Sequence, residues 1–310
     1  MIVCIGESLI DFVPVSEPEG AGLPHYHPVA GGCPFNCAIA AARLDGEVEF
    51  AGTISTDFFG DQIAARLEEN RVGTTWTTRV DNPTTLAFVK KSPSGSARYA
   101  FYTISAADRA LERSHLPDSF PDGALLQVGS ISLIGDPEGS TILSIAEREA
   151  GARVVAFDPN VRDTLIADEA DYRRRVDRAL AAATVLKTSD EDLEWIFPGR
   201  SPDEAVRAAF DRGVRLVVLT RGAEGSTAYT ADLTVHVPAR EVEVSDTIGA
   251  GDSFLAALLV WMDEHEIRSA GAVAALSQAH LREVLEFASR VAAITCTRTG
   301  ADPPRRGDLG

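Results

Sequence analysis

The chain has 310 residues, 45% of them hydrophobic and 24% charged, which suits one large α/β domain or two smaller ones with a sizeable buried core. A formal net charge of −17 argues against non-specific binding to nucleic acid or to an anionic membrane, since both call for basic surface. No apolar run approaches the ~18 residues of a membrane-spanning helix, so no membrane partner is expected either.

The N-terminal residues 1–7 lack a basic region and their apolar run breaks at Gly6, so they read as a first strand rather than a signal peptide. Cys4, Cys33, Cys37 and Cys296 form no CxxC pair, which fits a reducing, cytoplasmic location. Cys33 and Cys37 stand four apart with no histidine nearby, and read as small buried residues rather than metal ligands. The His25-x-His27 pair reads as two strand residues.

Residues 9–15 and 25–29, and later 84–91 and 98–103, alternate with period two and have no helix between them. Ser92-Pro93-Ser94-Gly95 is the expected turn within the second pair. Together they predict a small antiparallel sheet inserted at about 9–30 and 84–104, a candidate lid; an edge extension of the main sheet is the alternative. Phe12, Val13, Val29, Phe88, Val89 and Phe101 supply its apolar face. Four short strands cannot bury such a face alone, so a second copy of the chain is expected to cover it, giving a homodimer.

Pro34 opens a helix running to residue 44, and a second helix is predicted over 58–70. From about residue 123 strands at 125–128, 153–157, 184–187 and 214–220 alternate with helices at 141–149, 171–182 and 203–211. That rhythm predicts an α/β fold with a mostly parallel sheet and helices on both faces.

The most informative stretch is Asp246-Thr247-Ile248-Gly249-Ala250-Gly251-Asp252, which follows an alternating Val242-Glu243-Val244 and precedes a run apolar on every side, residues 253–260. The expectation is strand, glycine turn, buried helix. Such a helix start presents unpaired N–H groups to an anion. Asp252 then lies in the first turn, either as an acid that favours the helix dipole or as a base that takes a proton from a hydroxyl attacking a phosphate. The second constellation is Gly31-Gly32-Cys33-Pro34-Phe35-Asn36-Cys37-Ala38, where paired glycines permit close approach of a ligand and Asn36 can donate and accept. It suits a polyhydroxyl substrate, and equally a plain helix start.

Taken whole, the two strings resemble the two signatures of the ribokinase-like (PfkB) carbohydrate kinase family, Gly-Gly-x-x-x-Asn-x-Ala and Asp-Thr-x-Gly-Ala-Gly-Asp-x-Phe. The resemblance runs from the first strand to Ala301 and implies one three-layer sandwich domain spanning residues 1–310 with a β-sheet lid. It implies ATP-dependent phosphorylation of a sugar's primary hydroxyl, with Asp252 as base and the N–H groups of Gly249, Ala250, Gly251 and Asp252 on the γ-phosphate. By the same resemblance Asp11, Gly31, Gly32, Asn36, Phe101 and Arg162 bind the sugar; Arg162 closes an Asp158-x-Asn160-x-Arg162 stretch. Lys187, Ser189, Thr220, Arg221, Gly222, Gly225 and Ala288 fall on the ATP side, the segment from Ala288 to Gly300 lining the adenine pocket and Arg221 being equally readable as a surface charge. Ser189-x-x-Asp192 replaces the family's Asn-x-x-Glu, leaving Asp192 to hold Mg2+ through water. Asp246 and the carbonyl of Ile248 match positions that hold a monovalent cation, K+, in many relatives.

Within the family, residues 9–14, the Gly129-Ser130 strand end and Phe101-Tyr102-Thr103 are similar to fructokinases. The 2-keto-3-deoxygluconate kinases often carry an arginine after the lid tyrosine, absent here, although Arg98 or Arg109 could replace it. A catalytically silent sugar or nucleotide sensor on the same fold is the alternative from another class. It has no need of Asp252.

Overall fold

The computed structural model describes residues 1–15, 24–91 and 97–310. In chain order the strands are β1 (Ile2–Ile5), β2 (Leu9–Pro14), β3 (Tyr26–Gly31), β4 (Val48–Ser55), β5 (Gly73–Val80), β6 (Leu86–Lys91), β7 (Ala97–Tyr102), β8 (Leu125–Gly129), β9 (Val154–Asp158), β10 (Val185–Ser189), β11 (Leu216–Thr220), β12 (Ser226–Tyr229) and β13 (Thr234–Val237). The α-helices are α1 (Cys33–Arg43), α2 (Phe58–Glu69), α3 (Glu138–Glu149), α4 (Glu169–Ala182), α5 (Asp190–Ile196), α6 (Pro202–Phe210), α7 (Ala250–Glu264), α8 (Ala270–Ala274) and α9 (Gln278–Cys296).

The main sheet has the order β13-β12-β11-β10-β9-β8-β1-β4-β5. Every pair from β11 through β5 is parallel, and only β12 and β13 are antiparallel. Period two along β1 explains the layers. Ile2 and Cys4 face a core shared with α1, α7 and α9, whereas Val3 and Ile5 face one shared with α3, α4 and α6. The chain leaves β1 toward β4 and β5 on one side, then returns to build β8 to β11 on the other. Ligands bind at the carboxyl ends of strands where such an order reverses.

The second sheet has the order β3-β2-β6-β7, so the lid strands form a sheet of their own and not an extension of the main one. The predicted turn at Ser92–Gly95 lies outside the described residues. Pairing corrects the predicted apolar face. Asp11 opposes Val29 and Ala87, and Ala87 opposes Phe101, which places Val13, Val29, Val89 and Phe101 on the Asp11 side. Phe12 pairs with Phe88 on the other side. Neighbours in a strand point opposite ways, so Phe12 and Val13 cannot share a face.

The strand expected at Val242–Val244 does not form. Those residues belong to no strand and have no ladder partner, and the two valines are exposed. Their alternation serves the rim of a groove, not a sheet. The buried helix is as expected: α7 is buried from Asp252 to Met262. No helix among the described residues is long and apolar enough to cross a membrane.

Candidate active site

Gly249 is the N-cap of α7 at φ 77°, a left-handed conformation that a β-carbon would strain, and a β-carbon there would also meet Ala301 at 2.7 Å. The N–H groups of Gly249, Gly251 and Asp252 have no protein partner among the described residues. Ala250 differs from expectation: its N–H donates to the Thr247 carbonyl at 3.2 Å, closing the turn. The anion cradle is therefore three N–H groups, with Ala250 shaping it.

Asp252 is 8% exposed in the first turn of α7, and its Oδ2 accepts from Asn36 Nδ2 at 2.8 Å. The two signatures, far apart in sequence, thus meet side chain to side chain. Lys187 stands on the other flank of the cradle. A β-carbon on Gly251 would lie 2.9 Å from its Nζ. That Nζ donates to Asp158 Oδ2 at 2.8 Å in a wholly buried pair. Burial pushes Asp158 up to about 6 against the opposing pull of Lys187. The Lys187 ammonium, though penalised by burial, is raised by that carboxylate and stays protonated. A fixed positive charge beside an anion cradle stabilises bound phosphate.

The glycine pair has a spatial reason. A β-carbon on Gly31 would sit 2.3 Å from Asp11 Oδ2, and one on Gly32, at φ 109°, would sit 2.8 Å from the Glu7 carbonyl. Gly31 therefore leaves room for the Asp11 carboxylate. Burial pushes Asp11 up to about 7, while Arg162 pulls it down and Asp252 and Glu7 push it further up. Arg162 donates to the carbonyls of Asn160 and Val161 and lies 5.6 Å over the Tyr99 ring. Phe101 stacks on Tyr99, with centroids 5.5 Å apart. Asp11 thus lies near both Arg162 and Asp252, Arg162 meets the Tyr99–Phe101 stack, and Asn36 bonds Asp252.

Glu7 was not among the expected site residues. It is buried, its Oε1 accepts the Cys33 N–H at 3.0 Å and its Oε2 accepts from the Ser132 hydroxyl. It caps α1 from outside the helix, because Gly32 has no side chain to do so. Burial pushes Glu7 up to about 7, with Ser132 and Ser130 opposing. Cys33 Sγ lies with carboxylate oxygens of Asp158 and Asp252 inside 4.8 Å of one another, and burial beside those two acids raises its thiol. Tyr99 could have been suspected from sequence only by knowing that β7 converges on β9 and α1, and the same convergence is what brings Cys33 to Asp158.

On the far side of the cradle lies a mostly apolar groove of about 590 Å³, walled by Thr220, Gly222, Ala223, Gly225, Val242, Val244, Phe254, Ser289, Ala292, Ala293 and Cys296 among others. Its size and lining suit an adenosine-sized ligand. Three expected ATP residues are placed otherwise. Ala288 is wholly buried in the core, because α9 turns Ser289, Ala292, Ala293 and Cys296 to the groove instead. Arg221 is not part of the groove wall. Ser189 caps α5, its Oγ accepting the Asp192 N–H at 3.0 Å.

Asp192 Oδ1 accepts the Val161 N–H at 2.9 Å, which ties α5 to the Arg162 loop and leaves Oδ2 for a further partner. Asp246 accepts the N–H groups of Ile248 and Gly300, each at 3.2 Å, and so pins the turn before α7 to the end of the chain.

A helix start with unpartnered N–H groups, a carboxylate in its first turn and a buried ammonium beside it suit the transfer of a phosphoryl group to an alcohol. The comparisons with known proteins agree. A model of the pfkB family carbohydrate kinases matches residues 1–306. The fructokinase of Rhizobium leguminosarum bv. trifolii is 39% identical over 284 residues, covering 91% of this chain and 86% of its own. The crystal structure of Xylella fastidiosa fructokinase with bound ATP superposes with a TM-score of 0.90 at 28% identity, over 99% of this chain and 96% of its own. Vibrio cholerae O395 fructokinase, in a fructose, ADP and calcium bound form, gives 0.85 at 28% identity over 99% and 97%. The chain belongs to the pfkB family of carbohydrate kinases and is an ATP-dependent sugar kinase.

Proposed function

We propose that the chain is a cytoplasmic fructokinase, one kinase domain with an inserted lid, that transfers the γ-phosphate of ATP to the primary hydroxyl of D-fructose to give fructose 6-phosphate. The observation that carries the reading is the Asp252 carboxylate, inside the anion cradle and held by Asn36. In this reading Asp252 accepts the proton of the sugar hydroxyl as it attacks in line. The N–H groups of Gly249, Gly251 and Asp252, with Lys187, stabilise the charge that develops on the transferred group. Asp11, Asn36 and Arg162 orient the sugar hydroxyls, Tyr99 and Phe101 wall the ring, and the adenosine lies in the groove lined by α9. Mg2+ on the phosphates neutralises their charge when bound; the hard carboxylate oxygen of Asp192 fits a magnesium-bound water. K+ is proposed at Asp246 and the Ile248 carbonyl, where binding would stiffen the turn before α7.

The choice of fructose over a sugar acid is supported by Arg109. Its guanidinium donates to the Ile131 and Ile134 carbonyls and pairs with Asp108 and Glu138, so it does not await a substrate carboxylate. The several relatives named fructokinase point the same way. A coupled assay of ADP release over fructose, 2-keto-3-deoxygluconate, ribose, tagatose 6-phosphate and nucleosides tests it. D-Fructose is expected to give the highest kcat/KM; a preference for 2-keto-3-deoxygluconate would overturn the substrate, and binding without turnover would overturn the enzyme in favour of a sensor.

A further inference from the structure

We propose that Cys33, Asp158 and Asp252 form a binding site for a thiophilic divalent cation, with Zn2+ or Cd2+ as the fitting ions, and that its occupation stops phosphoryl transfer. One donor atom from each of the three lies within 4.8 Å of the others, and all three residues are buried. In a tetrahedral zinc site neighbouring donors are roughly 3.3–3.7 Å apart, so closure needs side-chain motion of about 1 Å.

The hydrogen bonding leaves one carboxylate oxygen of the cluster unanswered. Asp158 Oδ2 accepts from Lys187, but Asp158 Oδ1 is buried with no hydrogen-bond partner. Such an orphaned oxygen costs free energy unless something answers it. Asp252 Oδ2 accepts from Asn36, and the Asp252 carboxylate is also hydrogen-bonded with the Cys33 thiol, whose proton an arriving cation would displace. Each ligand is also aimed by a second residue: Asp158 by Lys187, Asp252 by Asn36, and the start of α1 that carries Cys33 by Glu7.

Charge and softness agree. Two carboxylates and a thiolate carry three negative charges, and the adjacent Lys187 cancels one, leaving two for a divalent ion to match. Thiolate sulfur selects zinc and cadmium over magnesium, which demands an octahedron of hard oxygens, so the ion that accompanies ATP is no competitor here. Binding expels the Cys33 S–H proton to solvent and changes no oxidation state. The cation then occupies the Asp252 oxygen that would take the hydroxyl proton. That inhibitory consequence rests on the fructokinase reading; the binding itself does not.

The test is titration of the nucleotide-free, metal-free protein with Cd2+, read by the thiolate-to-cadmium ultraviolet absorption. One band-forming equivalent per chain is expected in wild type and in Cys296→Ala, a control for the thiol in the groove, and its loss in Cys33→Ala. Asp158→Asn is expected to weaken the band at least tenfold in affinity. In the kinase assay at fixed Mg-ATP, with each variant referred to its own zinc-free rate, Cys33→Ala should raise the inhibitory Zn2+ concentration at least tenfold. If Cys33→Ala fails to fold by circular dichroism, Cys33→Ser takes its place. No cadmium band in wild type, or an equal band without the Cys33 thiol, overturns the site. Zinc inhibition unmoved by the loss of that thiol overturns the inhibitory role. Because binding is read without turnover, failure of Asp252 as base would leave the cadmium result standing.

Discussion

The carboxylates around the cradle differ in how they are held, and that difference can be measured. Asp252→Asn keeps the size of the side chain and a partner for Asn36 but removes the base. A loss of roughly 10²–10⁴ in kcat with little change in sugar KM is expected, and near-wild-type turnover would remove Asp252 from the role. Glu7 yields a prediction about stability. Its carboxyl is raised from 4.5 to about 7 by burial, so between those values the folded state holds a proton that the unfolded state has released. Stability from this group is therefore full below about pH 4.5 and falls as pH rises toward 7, by at most about 1.4 kcal/mol per pH unit. Asp11 and Asp158, raised likewise, add slopes of the same sign. Glu7→Gln should flatten part of this fall, seen as a smaller loss of urea midpoint between pH 5 and 7. An unchanged slope would show that Glu7 titrates alike in both states.

At the scale of elements, the site exists because two helix starts face each other. α1 begins at Cys33 with its N–H held by Glu7, and α7 begins at Ala250 after a left-handed glycine. Both pack against the same face of β1, and the Asn36–Asp252 bond joins their first turns. The lid reaches this junction through β2 and β3, where Asp11 pairs with Val29 and Gly31 pairs with Leu9. Gly31→Ala should therefore act on the substrate and not on the fold. Its β-carbon displaces the Asp11 carboxylate, which can swing, so sugar KM should rise about tenfold or more while the melting temperature moves little. A variant with unchanged KM would mean that Asp11 does not meet the sugar. In Leu258→Ala, deep in α7, the reverse is expected, with roughly 2–5 kcal/mol of stability lost through a cavity.

For the whole molecule, the outer face of the lid points to assembly. Phe12 stacks on Phe88 at 4.6 Å, Tyr26 and Tyr102 meet Phe88 edge-on, and Phe59 of α2 covers Phe12. Beyond them Tyr102, Phe58 and Ile104 are 65%, 66% and 92% exposed. Exposed apolar patches of this kind often mark interaction surfaces, and a symmetric second copy is the proposed cover. Light scattering at micromolar concentration is expected to return twice the chain mass of 33.0 kDa, and Tyr102→Glu to return one. Wild type at the mass of a single chain would refute the dimer.

Much of this was legible in the residues themselves. The strands and helices predicted between residues 123 and 220 fall within a few residues of their expected bounds, because parallel strands buried on both faces and amphipathic helices each carry their own period, whereas the short α5 was not foreseen. The helix start at Gly249 and the lid strands were legible for the same reason: glycine and period two are local signals. What needed the tertiary structure is everything that depends on which segments converge. Sequence put Val242–Val244 in a strand, yet no neighbouring strand offers them a ladder and they edge the groove instead. It put Ala288 at the nucleotide, yet the rotation of α9 against α7 turns that residue inward. It left Tyr99 and Glu7 without roles, and it did not pair Lys187 with Asp158. A side chain's partners across the fold are set by packing, and packing has no period along the chain.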